Sequence, residues 1–386
     1  MPPPFPSLWC LDAAVTYLNH GSFGACPAAV LAAQSALRDE LEREPVEFLA
    51  VRLQDRLHAA RAELAAFVGA DPADLAFVNN ATSGVSAVLR SLEFRPGDEL
   101  LTTNHTYAAC RKALDYVAGR SGARVVVATV PFPIGGEDEV VDAVLAGVSP
   151  RTRLALLDHV TSPTALVFPL ARLVAELRAR GVETLVDGAH APGMVPLALA
   201  ALGAAYYTGN AHKWLCAPKG AAFLYARRDR QDGLHALTIS HGFGRGFQAE
   251  FDWAGTDDPT AWLCIPEAIR YLGALLPGGW PELMARNHAL ALAARDLVGR
   301  ELGLAPAAPA AMVGSMASLP LPAPAPGAPA ARLEPEQLGA WFRARGVRTW
   351  LYPQPLPLVR LSAQLYNDLG QYQALARLLR EALGGG

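Results

Sequence analysis

Lysine is almost missing from this chain. Only Lys112, Lys213 and Lys219 occur in 386 residues, and the other 30 of the 33 basic side chains are arginine. Ala, Arg, Gly and Pro are all abundant, so the shortage follows the overall composition; its consequence is that chemistry needing an amine has three places to happen. Cysteine is nearly as scarce. Cys10, Cys26, Cys110, Cys216 and Cys264 are odd in number, far apart and form no Cys-x-x-Cys pair, which argues against a disulfide framework or a structural zinc site. An excess of one charge is also missing. With a net charge of −3, nothing electrostatic calls for nucleic acid or an anionic membrane as partner.

The opening Met1-Pro2-Pro3-Pro4-Phe5-Pro6 lacks the basic segment and apolar run of a signal peptide. Residues 188–212 and 303–331 carry no Asp, Glu, Lys or Arg, yet proline interrupts both, so neither reads as a membrane span. A soluble, cytoplasmic protein is expected. What is present is apolar content of 52% with 18% charged residues, the composition of a globular chain long enough for two or three domains.

Between about residues 60 and 230, short apolar runs alternate with amphipathic stretches. Strands are expected at Leu75–Val78, Glu99–Thr102, Arg124–Ala128, Leu154–Asp158, Thr184–Val186, Tyr206–Thr208 and Ala221–Tyr225, and helices at 54–68, 82–92, 107–119, 137–147 and 170–180. This alternation predicts an α/β fold, a mostly parallel sheet flanked by helices, with ligands bound beyond the carboxyl ends of its strands. After residue 260 the rhythm changes. Helices at 260–275 and 281–302 precede an Ala/Pro-rich loop with one strand near 312–319, then helix 334–345, a strand pair within 347–361 and helix 368–384. The expected division is a large domain over 20–262 and a smaller α+β domain made of 1–19 and 263–386.

Gly-x-Gly-x-x-Gly after an early strand, a Walker loop, His-Glu-x-x-His and Gly-x-Ser-x-Gly are all absent, which leaves dinucleotide, nucleotide, zinc-protease and serine-hydrolase readings without a motif. Two other motifs stand out. Leu185-Val186-Asp187-Gly188-Ala189-His190 is followed, 26 residues after Asp187, by Lys213 in Asn210-Ala211-His212-Lys213-Trp214. Each lies just past an apolar strand, so both can end on one edge of the sheet. An Asp near a Lys also describes a structural ion pair. The functional reading is pyridoxal phosphate, with Lys as the imine-forming amine and Asp pairing with the ring nitrogen. Asn79-Asn80-Ala81-Thr82-Ser83-Gly84 opens a helix after a strand, which suits a phosphate or simply a capped helix. Thr102-Thr103-Asn104-His105-Thr106-Tyr107 follows another strand and offers a ring to stack on the cofactor.

Taken in this order, the set resembles the class V aminotransferases, pyridoxal-phosphate enzymes of fold type I. The likeness runs from Tyr17-Leu18-Asn19-His20-Gly21-Ser22-Phe23-Gly24 to Val359-Arg360-Leu361-Ser362, and Glu44-Pro45-Val46-Glu47-Phe48 is similar to the isopenicillin N epimerase-like branch. The resemblance implies pyridoxal 5′-phosphate on Lys213, with Asp187 at the pyridine nitrogen and His190 near the ring and its phenolic oxygen. It implies phosphate contacts from Ala81 and Thr82, with Asn210 and His212 completing the cup, and Ser162 at the phenolic oxygen. Thr256 would reach the phosphate of a neighbouring subunit in a homodimer with shared active sites. Arg360 would grip the α-carboxylate of an amino-acid substrate, and Asn19, His20 and Ser22 would shape the substrate pocket or only a turn. Either His105 or Tyr107 would stack on the cofactor and act as the acid opposite Lys213.

The implied activity is epimerisation or β-elimination (carbon–sulfur lysis) at an amino acid or conjugate, with transamination as the alternative. Desulfuration is disfavoured, because no cysteine lies between Gly346 and Arg360. A non-catalytic dimer that binds or regulates is the alternative of another class; retention of Lys213, Asp187, His212 and Arg360 together speaks against it.

Overall fold

The computed structural model describes residues 5–352 and 357–384. The expected strand pair within 347–361 therefore has its connection, 353–356, outside the described residues, as are 1–4 and 385–386 of the expected small domain.

Seven strands form the central sheet: β1 (Leu75–Val78), β2 (Glu99–Thr103), β3 (Arg124–Ala128), β4 (Thr152–Asp158), β5 (Glu183–Asp187), β6 (Tyr206–Asn210) and β7 (Ala222–Ala226). Their order is β1-β7-β6-β5-β4-β2-β3, with β7 antiparallel to both neighbours and every other pairing parallel. Two antiparallel steps cancel, so β1 runs with β6 and ends on the same edge as β2, β4 and β5.

Period-two alternation explains why the sheet is covered on both faces. Leu75, Phe77, Leu101, Ala155, Leu157, Val186, Tyr207 and Phe223 join one apolar core; the alternating Ala76, Val78, Leu100, Leu154, Leu156, Leu185, Tyr206 and Leu224 join the other. The first core is closed by helices Leu53–Val68, Glu137–Ala146 and Leu170–Ala179, and the second by Ala81–Ser91 and Ala108–Ser121. The same parity sends Asp158, Asp187, Thr208 and Asn210 toward the second set of helices. That is what gathers them at one site.

A three-stranded antiparallel sheet, Trp350–Tyr352, Leu358–Ser362 and Met316–Pro320, lies in the C-terminal part, and Thr16–Tyr17 pairs in parallel with Val347–Arg348. Leu18, Val298, Leu319, Phe342, Val359, Leu361, Tyr372 and Leu375 share a separate apolar cluster there. Helix Ile265–Gly273, which follows the expected boundary at 262, sends Ile265 and Ala268 into the first sheet core. The Ala/Pro-rich stretch is anchored to the sheet unit: the amides of Ile134 and Val167 donate to the carbonyls of Ala307 and Met312. No described helix is long and apolar enough to cross a membrane.

Candidate active site at the carboxyl edge of the sheet

Lys213 sits in the turn after β6. The turn is held by the Cys216 amide donating to the Lys213 carbonyl at 3.1 Å and the Ala217 amide donating to the Ala211 carbonyl at 3.0 Å. Cys216 adopts φ +60, a region that costs a side-chain-bearing residue on the order of 1 kcal/mol and that clusters at functional sites. Burial and the Arg360 guanidinium push the Lys213 amine down to about 8. The other two lysines are exposed: Lys112 on helix Ala108–Ser121 and Lys219 in the turn before β7.

The segment 19–24 lies against the back of this turn. At Gly24 (φ +68) a Cβ would come within 2.1 Å of the His212 carbonyl oxygen, so only glycine allows the approach. His20 is fully buried; its Nε2 donates to the Lys213 carbonyl at 3.0 Å and its Nδ1 accepts from the Tyr366 hydroxyl at 2.7 Å. Desolvation takes its pKa to about 3, so the ring is a neutral clamp on the lysine backbone. His212 Nδ1 donates to the Ala221 carbonyl at 3.0 Å.

Asp187, at the tip of β5, is 3% exposed and accepts from the Cys110 thiol (3.1 Å) and the Ala189 amide (3.0 Å). No cation lies within 4 Å of it among the described residues, and no carboxylate lies within 4 Å of Lys213. A pyridinium nitrogen is a partner this carboxyl suits. Burial, then Asp187 nearby, holds the Cys110 thiol well above its ordinary range, so it donates its hydrogen. Asp158, which the sequence did not single out, is the register partner of Asp187 on β4, with one oxygen buried and unpartnered among the described residues. Burial and the neighbouring Asp187 raise it well above a normal carboxyl.

Helix Ala81–Ser91 supplies an anion cradle. Asn80 caps it through the Ser83 amide (2.8 Å), Asn210 accepts from the Ala81 amide (2.7 Å), and the Thr82 amide between them has no acceptor among the described residues. The helix comes this close to β6 because residue 84 is glycine: a Cβ there would lie 2.5 Å from Thr208 Oγ1. Ser83 and Asn79 line a cleft of about 310 Å³ together with exposed Thr256. A phosphate-bearing pyridine with an aldehyde fits this donor set: amine, buried carboxyl and open helix amide converge on one edge.

Arg360 is the largest departure from ordinary packing. Its guanidinium is 1% exposed, yet among the described residues no carboxylate pairs with it. It donates to the Ser162 carbonyl (2.8 Å) and hydroxyl (3.2 Å), the Tyr352 hydroxyl (3.0 Å), Asn19 Oδ1 (3.2 Å) and Ser22 Oγ (2.9 Å), and its Nε has no partner. A buried cation ringed by neutral acceptors is built to receive an anion. Asn19, Ser22, Ser162 and Arg360 thus meet in one cluster. Tyr352 belongs to it too, although sequence reading gave no sign of this. Its partner Ser162 is 190 residues away.

The two candidate stacking residues part company. His105 is buried between Phe132 and Phe168, with Nδ1 2.6 Å from the Thr164 hydroxyl and Nε2 donating to the Val130 carbonyl at 2.9 Å. Both nitrogens are occupied. Tyr107 precedes helix Ala108–Ser121, is 43% exposed, and stands close enough to Asp187 and Arg360 to feel their charges. Burial raises its phenol, which keeps it a donor at neutral pH. His190 is buried, and its Nε2 lies 3.2 Å from Lys213 Nζ.

Comparison with known proteins identifies the chain's relatives. The family profile described as aminotransferase class V matches residues 17–296. An isopenicillin N epimerase from Amycolatopsis lactamdurans is 37% identical, with 96% of each chain covered. A putative L-cysteine desulfhydrase from Oryza sativa subsp. japonica is 34% identical, covering 81% of this chain and 68% of its own. Among solved structures, the cystine C–S lyase C-DES with its product cysteine persulfide superposes with a TM-score of 0.81 at 22% identity, over 97% of this chain and 99% of that one, which shows a shared fold. The chain belongs to the class V aminotransferase family of pyridoxal 5′-phosphate enzymes.

Proposed function

We propose that this enzyme binds an amino acid, or an amino-acid conjugate, by its α-carboxylate on Arg360 and removes the α-proton with Lys213. The observation that carries this reading is the buried Arg360, surrounded by neutral acceptors and lacking a counter-ion among the described residues, with an amine pushed down to about 8 in the same site. When bound, pyridoxal phosphate withdraws electrons from the α-carbon and makes its proton acidic. Asp187 would hold the pyridine nitrogen, helix Ala81–Ser91 with Thr82, Asn210 and His212 the phosphate, and Ser162 and His190 the region of the phenolic oxygen. Lys213 takes the proton as general base. Tyr107, a neutral phenol with an open face, is the acid on the other side; His105, with both nitrogens engaged, positions the β2–helix connection.

Proton return from Tyr107 gives epimerisation, and loss of a β-substituent gives elimination. Relatives bearing both names support these two outcomes over transamination. A persulfide-forming desulfurase is disfavoured, since Cys264 is buried in the sheet core and no cysteine lies in 346–360. Thr256, on an exposed loop beside the cleft at Asn79 and Ser83, supports a homodimer with shared sites. Incubating holoenzyme with amino acids and cysteine conjugates in deuterated water separates the outcomes. Pyruvate with ammonia marks elimination, and an inverted α-deuterated product marks epimerisation. A keto acid formed only with an amino acceptor would overturn both.

A further inference from the structure

We propose that Trp214 is a positioning residue: it fixes the tautomer of His190, so that His190 presents an N–H, never a lone pair, to Lys213. Trp214 Nε1 lies 3.4 Å from His190 Nδ1, and His190 Nε2 lies 3.2 Å from Lys213 Nζ. Both rings are buried, and none of these three ring nitrogens has another partner among the described residues. Packing holds the indole in place, with its ring 4.7 Å from that of the His20 clamp.

An indole nitrogen can only donate, so His190 Nδ1 must accept. The tautomer then depends on whether His190 carries one hydrogen or two. Burial and the Arg360 guanidinium oppose a second, and its pKa falls well below the ordinary value. The single hydrogen is therefore on Nε2, aimed at Lys213. A donor there stabilises the amine as –NH₂, which has a lone pair to accept, and opposes –NH₃⁺, which has only hydrogens to offer. Around Lys213 the other charged or titratable groups are Arg360, which also opposes the cation, Asp187, which favours it, and the Cys110 thiol and Asp158 carboxyl, both pushed up by burial.

Two consequences follow. His190 cannot act as the base that strips Lys213, because its accepting nitrogen is already taken. And the donor favours the unprotonated Lys213 amine, the form that condenses with an aldehyde, losing water to make the C=N bond. Sequence adjacency gives the arrangement its precision, since one turn carries both the amine and the residue that orients its neighbour.

The role given to Lys213 here rests on the reading above, whereas the tautomer does not, so two readouts separate them. The first is nitrogen NMR of the cofactor-free enzyme labelled with ¹⁵N-histidine. His190 should show an unprotonated Nδ1 and a protonated Nε2, constant from about pH 6 to 9. A protonated Nδ1 in the wild-type enzyme would overturn the proposal without any variant, and so decides it even where Trp214→Phe does not fold. The second is the pH dependence of the rate at which cofactor-free enzyme recombines with pyridoxal phosphate, followed by absorbance. The wild-type rate should be half-maximal near pH 8, where the amine titrates. In Trp214→Phe the His190 tautomers should mix, and the midpoint should rise by about one pH unit, a tenfold change in the proton equilibrium. Unchanged nitrogen signals and an unchanged midpoint in a folded Trp214→Phe enzyme would overturn it. Failure of pyridoxal phosphate to attach to Lys213 would instead count against the reading above, leaving the NMR result to judge the tautomer.

Discussion

A guanidinium that is buried, hydrogen-bonded five times and still without a counter-ion among the described residues is the plainest functional statement any single residue makes here. Arg360→Met should lower kcat/KM by roughly 30–150-fold, the loss of about 2–3 kcal/mol from a charge-assisted contact, mainly through KM in steady-state assays. Tyr107→Phe should slow inversion of the α-carbon by about 10²–10⁴-fold, the range of a general acid, while deuterium exchange with retention continues. His105→Asn should slow inversion less than Tyr107→Phe, by loosening the segment that carries Tyr107; a larger loss than in Tyr107→Phe would count against the phenol as the acid. Residues such as Lys213 and Asp187 were legible because each directly follows an apolar strand. Cys110, Asp158, Trp214 and Tyr352 were not, because what matters about them is a contact. Cys110 meets Asp187 across 77 residues, and nothing local announces it.

Among elements, the strands were read almost as they stand, since buried β-branched and aromatic runs have clear ends; β2, β4, β5 and β6 simply run one or two residues longer. Helix Ala28–Arg43 was not read. It buries only Val30 and Gln34, so its face carries little periodic contrast. The π-helical turn Glu47–Arg52 follows an i→i+5 pattern that amphipathic spacing does not encode. Gly84 sets how closely helix Ala81–Ser91 approaches β6. Gly84→Ala should weaken pyridoxal-phosphate affinity about tenfold by displacing the first turn, and Thr208→Ala in the same chain should restore part of it, because the clash is with Thr208 Oγ1.

At the opposite edge, Glu99 ties the starts of β2, β3 and β4 by accepting from Ser149, Arg151 and Arg124. These hydrogen bonds hold its carboxyl down to about 2. A folded value below the unfolded one means stability present above about pH 4.5 and lost as pH falls toward 2. Urea midpoints of the wild-type enzyme should drop through that window, and Glu99→Gln should start lower and change less.

At the scale of the whole molecule, exposed Leu237, Ile239 and Phe243 lie on the segment that borders the Thr256 cleft. The homodimer proposal places a second copy over them. Light scattering should give twice the chain mass, and Ile239→Glu with Phe243→Glu should yield monomers that hold the cofactor more weakly. Monomeric wild-type enzyme with full activity would remove shared sites from the account. The division into a sheet unit (20–262) and an Arg360-bearing unit (1–19 with 263–386) remains a proposal. It puts base and carboxylate clamp on different units, which the Arg360 contacts to Ser162 and Ser22 already join.

All of this depends on Lys213 being the amine that holds the cofactor, and the three-lysine chain makes that easy to test. Holoenzyme reduced with borohydride, digested and mapped by mass spectrometry should carry the pyridoxyl group on Lys213, with Lys112 and Lys219 unmodified and no label in Lys213→Ala. A label on Lys219, or none on any lysine of reconstituted protein, would contradict the account.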